Sequence, residues 1–166
     1  MTYYDEKFEQ GLEYQDHVTE LLYDNGMPIV AYSSRKKQYL GENKAGYEIK
    51  LDNNIKKTGN IYIEFAEKSN ENNANFVASG IFRDDNTWLY IIGDYEKTYI
   101  FGKKQLIRLY ETKKYEERQI ATSMGFLLPF CDAEEYAEKV LVNKNYVKKK
   151  MSNKLSKWLK KHKKGE

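Results

Sequence analysis

The sequence is poor in residues and motifs that several common chemistries require. Cys131 is the only cysteine among 166 residues, which excludes an internal disulfide and a cysteine zinc site. No glycine-rich phosphate loop is present, which disfavours an ATP-dependent function. No apolar run approaches the about 18 residues of a membrane span, and the opening segment MTYYDEKFEQ is acidic, unlike a signal peptide. We therefore expect a cytoplasmic protein with no membrane partner.

Charge, by contrast, is abundant and unevenly distributed. Charged residues make up 32% of the chain and hydrophobic residues 40%, a composition typical of one globular domain. Residues 143–166 hold ten lysines and one glutamate, a net charge of +9. Because the whole chain carries +3, residues 1–142 carry −6. The sequence thus predicts an acidic body, residues 1–143, and a basic C-terminal helical arm, residues 144–166.

Apolar periodicity predicts an α/β (α+β) protein with a single mixed β-sheet of about five strands flanked by helices. A first helix is expected over residues 5–24, with Asn25-Gly26 ending it. Alternating segments predict the strands, which are 28–34, 47–52, 60–68, 88–92 and 97–103. Further helices are predicted to begin at Lys104, to span 132–143 with Asp132 as N-cap, and to run through the arm from Asn145.

Two predicted strands carry a glutamate within an apolar pattern: Glu48 in YEIKLD and Glu64 in NIYIEFAEK. We expect these strands to form a hairpin centred on Lys56, which places the two glutamates directly opposite each other. Opposed carboxylates repel, unless one is protonated or a cation lies between them. Mg²⁺ or Mn²⁺ would suit such a site because hard cations prefer oxygen ligands. A solvated strand face with lysines nearby is the alternative.

Gln15 lies in the middle of the predicted apolar face of the first helix. A buried amide needs hydrogen-bond partners, so Gln15 is either a satisfied structural residue or part of a site. The other members of this face are Phe8, Gly11, Leu12, Val18, Thr19 and Leu22.

The segment GYEIKLD…GNIYIEFAEK resembles the core of the PD-(D/E)xK, or restriction-endonuclease-like, nuclease superfamily. Its members carry an acidic residue on one strand and an acid-x-lysine pair on the next, often after a helix with glycine and an acidic residue four positions later. Here Gln15 follows Gly11 at that spacing. The resemblance covers residues 8–103 and implies a restriction-endonuclease-like core. It also implies that Glu48 and Glu64 are metal ligands and catalytic residues, with Gln15 orienting a water molecule.

Ala66 stands where the superfamily has its lysine. Two lysines could replace it: Lys68, two residues further along, and Lys50 on the other predicted strand. In a second interpretation the sequence EIK at 48–50 is itself the acid-x-lysine pair. Two residues could then supply the other carboxylate: Glu42 and Asp52.

The resemblance implies a metal-dependent DNA endonuclease that hydrolyses phosphodiester bonds in duplex or branched DNA, in bacterial or phage DNA processing. It also implies Mg²⁺ or Mn²⁺ as cofactor, and a homodimer, since many such folds act as dimers. Ala66 favours the alternative, a catalytically inactive protein of the nuclease fold that binds nucleic acid or has a regulatory role.

The arm is predicted to form an amphipathic lysine helix that contacts DNA phosphates. Binding to an anionic membrane and docking of its apolar stripe on the body are alternatives. The stripe comprises Val147, Met151, Leu155 and Trp158. The expected nucleic-acid-binding residues are Lys148, Lys149, Lys150, Lys154, Lys157, Lys160 and Lys161.

Overall fold

The structure is a computed structural model that describes residues 3–27 and 45–162. The predicted strand 28–34 and Glu42 lie outside the described residues. Within them the helices are α1 (Tyr3–Asp24), α2 (Ile55–Thr58), α3 (Lys103–Glu111), α4 (Phe130–Tyr136) and α5 (Lys144–His162), with a 3₁₀ turn at Gly80–Phe82. The strands are β1 (Tyr47–Leu51), β2 (Asn60–Glu67), β3 (Val77–Ala78), β4 (Leu89–Gly93), β5 (Lys97–Gly102), β6 (Glu117–Ile120), β7 (Ser123–Pro129) and β8 (Lys139–Val142).

These strands form two four-stranded sheets, so the prediction of a mixed α+β protein is confirmed and that of one sheet of about five strands is wrong. The first sheet has the order β1-β4-β5-β8 and the second the order β3-β2-β7-β6. Only β1 and β4 pair in parallel. The sequence pattern missed β6 because all four of its residues are exposed and show no apolar alternation.

Successive side chains of the central strands in the first sheet point to opposite faces, and both faces are packed against apolar residues. One apolar cluster joins it to the second sheet and α3, and includes Tyr90, Ile92, Tyr99, Phe101, Ile61, Ile63, Phe126 and Leu106. The other joins it to α1, and includes Ile91, Ile100, Leu141, Tyr14, Val18 and Leu22. The described residues thus build three layers: α1, the first sheet and the second sheet.

The face that α1 turns inward differs from the predicted one. Val18 and Leu22 are buried as predicted, but Tyr14 and Leu21 are buried as well, and Gln15 is only half-buried. The Tyr14 hydroxyl lies 3.2 Å from Thr98 Oγ1, which gives the buried phenol a partner on β5. The centre of the contact is therefore rotated away from Gln15.

The expected hairpin between Glu48 and Glu64 is wrong, since β1 and β2 belong to different sheets. Glu48 pairs with Tyr90 of β4, and Glu64 with Gly125 of β7. The connection is the short helix α2 rather than an open turn, and Gly59 ends it in the left-handed region at φ 71°. Alternation fixes which residues share a face but does not identify the partner strand.

The helix predicted over 132–143 is also wrong in its bounds. The observed α4 begins at Phe130 and ends at Tyr136, and β8 occupies four of the seven residues that follow within the predicted range. Asp132 is not an N-cap, because its Oδ2 accepts hydrogen bonds from Tyr115 Oη at 2.7 Å and Lys114 Nζ at 2.8 Å. Tertiary partners therefore override a local capping pattern.

The arm forms the helix α5, which contacts the body through its first turns. Tyr146 stacks on Tyr95 with ring centroids 5.9 Å apart, and Lys150 pairs with Glu96. Beyond them Met151, Leu155 and Trp158 are 68%, 59% and 56% exposed. No helix in the described part of the chain is long and apolar enough to cross a membrane.

We predict that Gly80→Ala lowers the free energy of unfolding by about 3 kcal/mol. Gly80 has φ 50°, and an added Cβ would lie 2.1 Å from the carbonyl oxygen of Glu64, so the substitution both strains the backbone and pushes β2 away. Gly26→Ala is the matched control: φ is 72°, but no atom lies within 4 Å of the new Cβ. Urea denaturation should show that Gly26→Ala lowers the free energy of unfolding by about 1 kcal/mol. Equal losses in both variants would contradict the close contact at Gly80.

Candidate functional site

Glu48, Lys50 and Glu64 converge in space. Glu48 and Lys50 are two residues apart on β1 and share one of its faces. Lys50 Nζ lies 2.9 Å from Glu48 Oε1 and 3.8 Å from Glu64 Oε1. The two glutamates therefore meet although they are not strand partners, and the cation between them is an ammonium group of the chain itself.

Asp52 holds the end of β1 against β2. Its Oδ1 accepts a hydrogen bond from the backbone N–H of Asn54 at 2.9 Å, and its Oδ2 accepts one from the N–H of Tyr62 at 3.2 Å. Both oxygens are thus used by backbone amides, which favours a structural role over that of the second carboxylate. This link brings Lys50 and Glu64 within reach of each other.

Glu64 is fixed by hydroxyl groups from two other elements. Ser79 Oγ donates to Glu64 Oε1 at 2.6 Å and Ser123 Oγ donates to Glu64 Oε2 at 2.9 Å. Ser123 is itself 3.0 Å from the Tyr62 hydroxyl. Burial raises the pKa of Glu64, but Lys50, the two serines and Arg83 outweigh burial and the net pKa is lowered. Glu64 is therefore ionised at neutral pH.

Glu48 is held differently, because only one of its oxygens has a partner. Its side chain is 3% exposed, and Oε2 is buried with no hydrogen-bond partner in the described part of the chain. The Tyr90 hydroxyl on the paired strand is also buried and unpaired within these residues. Burial raises the pKa of Tyr90, and the neighbouring Glu48 charge raises it further. A side-chain hydrogen bond between Tyr90 and Glu48 also raises this pKa, so the Tyr90 hydroxyl lies close to Glu48 and is a candidate partner for its second oxygen.

Lys50 keeps its charge in this setting. Burial lowers the pKa of its ammonium, but the carboxylates of Glu48 and Glu64 outweigh burial and the net pKa is raised. Its side chain is 31% exposed, so it lies at the open side of the site while Glu48 lies beneath. In this state Lys50 neutralises two acids and is not a base.

The structure does not bring Lys68 and Gln15 to the two glutamates. Lys68 Nζ donates to the carbonyl of Glu71 at 2.8 Å and lies 5.2 Å from the ring centroid of Phe76. Glu64 pairs with Gly125 and Ala66 with Met124, so Phe65 is an extra, bulged residue. The two-residue alternation that would place Lys68 beside Glu64 breaks at this bulge. Within the described residues no hydrogen bond joins the Gln15 side chain to Glu48 or Glu64.

The hydroxyl partners of Glu64 were not predicted from the sequence. Ser79 and Ser123 are separated from Glu64 by 15 and 59 positions, and neither serine stands in a pattern that predicts a site. The one nearby residue that could have indicated this contact is Gly80, which directly follows Ser79. Gly80 has a positive φ and no Cβ, so its backbone can lie against Glu64.

The predicted nucleic-acid-binding lysines follow α5. Lys148, Lys149, Lys150, Lys154 and Lys157 are exposed, and Lys150 is paired with Glu96. Lys160 and Lys161 belong to the last turns of the helix, and their side chains lie outside the described part. The helix has no acidic residue, so every formal side-chain charge on it is positive.

For a metal ion the described residues offer two convergent carboxylates. No group of three or more His, Cys, Asp or Glu side chains that could hold a metal occurs among residues 3–27 and 45–162. Comparisons with protein-family models, curated proteins and solved structures found no match to this chain. The geometry around Lys50 is therefore the main indication of function.

We predict that Lys50→Met destabilises the protein by about 2 kcal/mol at pH 7, because it leaves the buried carboxylate of Glu48 and the half-buried carboxylate of Glu64 without their cation. The folded pKa of Glu64 is lowered in the parent, so its stabilising contribution is present above the unfolded pKa and lost as pH falls through the folded value. In the variant, protonation instead relieves repulsion, so the difference in unfolding free energy should shrink between neutral and acid pH.

Urea titrations across this pH range would measure the difference, with Lys68→Met as the control lysine. A difference that stays constant with pH would contradict the proposed coupling of Lys50 to the two acids.

Proposed function

We propose that this protein is a metal-dependent DNA endonuclease of the restriction-endonuclease-like class. The observation that carries the proposal is the Lys50 ammonium between Glu48 and Glu64, at 2.9 and 3.8 Å from their oxygens. Two acids and a lysine in this arrangement suit phosphodiester hydrolysis, which requires a bound divalent cation, a positioned water and a positive group near the phosphate.

The proposal combines the two sequence interpretations. Glu48 and Lys50 form the acid-x-lysine pair on β1, and Glu64 on β2 serves as the second carboxylate. Lys50 is preferred to Lys68 because only Lys50 is within ion-pair distance of both acids. The Ala66 position then does not weaken the proposal, since the lysine comes from the other strand.

Glu48 and Glu64 are the residues that would hold Mg²⁺ or Mn²⁺. The donor set fits a hard cation, because both groups are carboxylates. Water and a substrate phosphate would complete the coordination, as is usual for Mg²⁺. When bound, the ion would supply Lewis-acid stabilisation of charge and lower the pKa of a coordinated water.

The remaining groups position the acids and the phosphate. Ser79 and Ser123 fix the orientation of Glu64, as partners of metal-binding carboxylates generally do. Once a cation neutralises the carboxylates, the Lys50 ammonium is free to donate to a phosphate oxygen and to offset the charge that develops during cleavage.

One observation favours a second candidate, a nucleic-acid-binding protein without activity. Lys50 already neutralises Glu48 and Glu64, and the described residues supply no third acidic ligand. If a divalent cation does not displace this ammonium, the site is an internal ion-pair network, and the protein binds nucleic acid without cleaving it.

We predict that the protein nicks supercoiled plasmid in Mg²⁺ or Mn²⁺ and that Glu64→Gln and Lys50→Met each lower the rate at least about a hundredfold. Glu67→Gln is the matched control, since Glu67 is an exposed acid on the same strand. Calorimetry should detect divalent binding that is lost in Glu64→Gln. Binding of DNA without metal binding or nicking would support the inactive candidate instead.

We also predict that the α5 lysines set the salt dependence of duplex DNA binding. Each phosphate contact contributes about 0.9 to the slope of log affinity against log salt, so Lys154→Gln with Lys157→Gln should reduce the slope by about 2. Fluorescence anisotropy with a labelled duplex would measure it. Lys104→Gln, on exposed α3 surface, should leave the slope unchanged. An unaltered slope in the double variant would exclude α5 as the contact.

A further inference from the structure

A cleft of about 460 Å³ opens beside the carboxylates and shares two residues with their surroundings. Lys50 lines the cleft and contacts both acids. Tyr62 lines it as well, and its hydroxyl lies 3.0 Å from Ser123, which donates to Glu64. Whatever occupies the cleft is therefore next to the proposed site of hydrolysis.

The rim of the cleft is basic. Lys57 from α2 and Arg118 from β6 are exposed and reach it from two sides. Arg118 pairs with Glu116 through Nη2 at 2.6 Å, which leaves other guanidinium N–H groups for a ligand. The one acid in the lining, Asp52, is occupied by two backbone amides. This rim suits phosphate oxygens.

The interior of the cleft suits a flat ring with polar edges. Its apolar floor is formed by side chains from β4, β6 and β7, namely Ile92, Ile120 and Leu127. Ile120 is 48% exposed, which leaves an apolar surface open to a ligand. Asn53 and Asn60 add amide groups that can donate to or accept from a base edge.

We propose that this cleft binds one unpaired nucleotide of the substrate strand, which makes single-stranded or locally unpaired nucleic acid the substrate class. A paired base has its edge occupied and both faces stacked, whereas an unpaired base can lie against an apolar floor and use its edge for hydrogen bonds. The inference rests on the proposed function, because the cleft would present the strand to Glu48 and Glu64.

Binding should be measured by fluorescence anisotropy with the full chain in EDTA, where cleavage cannot interfere. The probes are a labelled oligothymidylate, an abasic oligomer of equal length and a fully paired blunt-ended duplex. Lys57→Gln combined with Arg118→Gln should weaken oligothymidylate binding about tenfold, with little effect on the duplex, which α5 can still contact. Lys104→Gln is the control, and matching thermal melts would show that the variants are folded.

The abasic probe distinguishes binding through the base from binding through the phosphate. The parent should prefer oligothymidylate to the abasic oligomer by about tenfold, and Ile120→Ser should remove that preference. Equal affinity of the parent for both probes, or normal binding by the Lys57 and Arg118 double variant, would overturn the inference even if Glu64-dependent nicking is found. Cleft binding without any nicking would instead leave the inference intact and remove the nuclease.

Discussion

The ammonium of Lys50 is the group on which the described site depends. Without it, two carboxylates would lie close together beneath the surface, and like charges at such a distance are costly. With it, Glu48 remains deeply buried and Glu64 remains ionised. The same geometry is the basis of the proposed function, because a lysine that bridges two acids marks a position where a divalent cation would compete for the same carboxylates.

The fold delivers these three groups from two sheets rather than one. The helix α2 carries the chain out of the first sheet, and Asp52 then ties the end of β1 to the backbone of Tyr62 in β2. Ser79 and Ser123 reach Glu64 from separate segments. The site therefore requires both sheets to be in place.

The sequence predicted local structure better than long-range pairing. The alternation around Ile49 and Ile63 gave β1 and β2 nearly their observed bounds, and the amphipathic lysines predicted α5. The same alternation could not reveal that β1 pairs with β4, because register and partner are decided by tertiary contacts. Glu48, Lys50 and Glu64 were found as unusual charges in strands. Ser79 and Ser123 were not, since isolated serines carry no periodic signal.

The attachment of α5 through its first turns determines how far the arm can reach. From Lys150, which pairs with Glu96 of the body, the helix runs on to His162. At a rise of 1.5 Å per residue this is about 18 Å. That length spans roughly five base pairs of B-form DNA at 3.4 Å each. Under the proposed function, a duplex bound along this part of the arm would extend up to that distance from the Lys150–Glu96 pair.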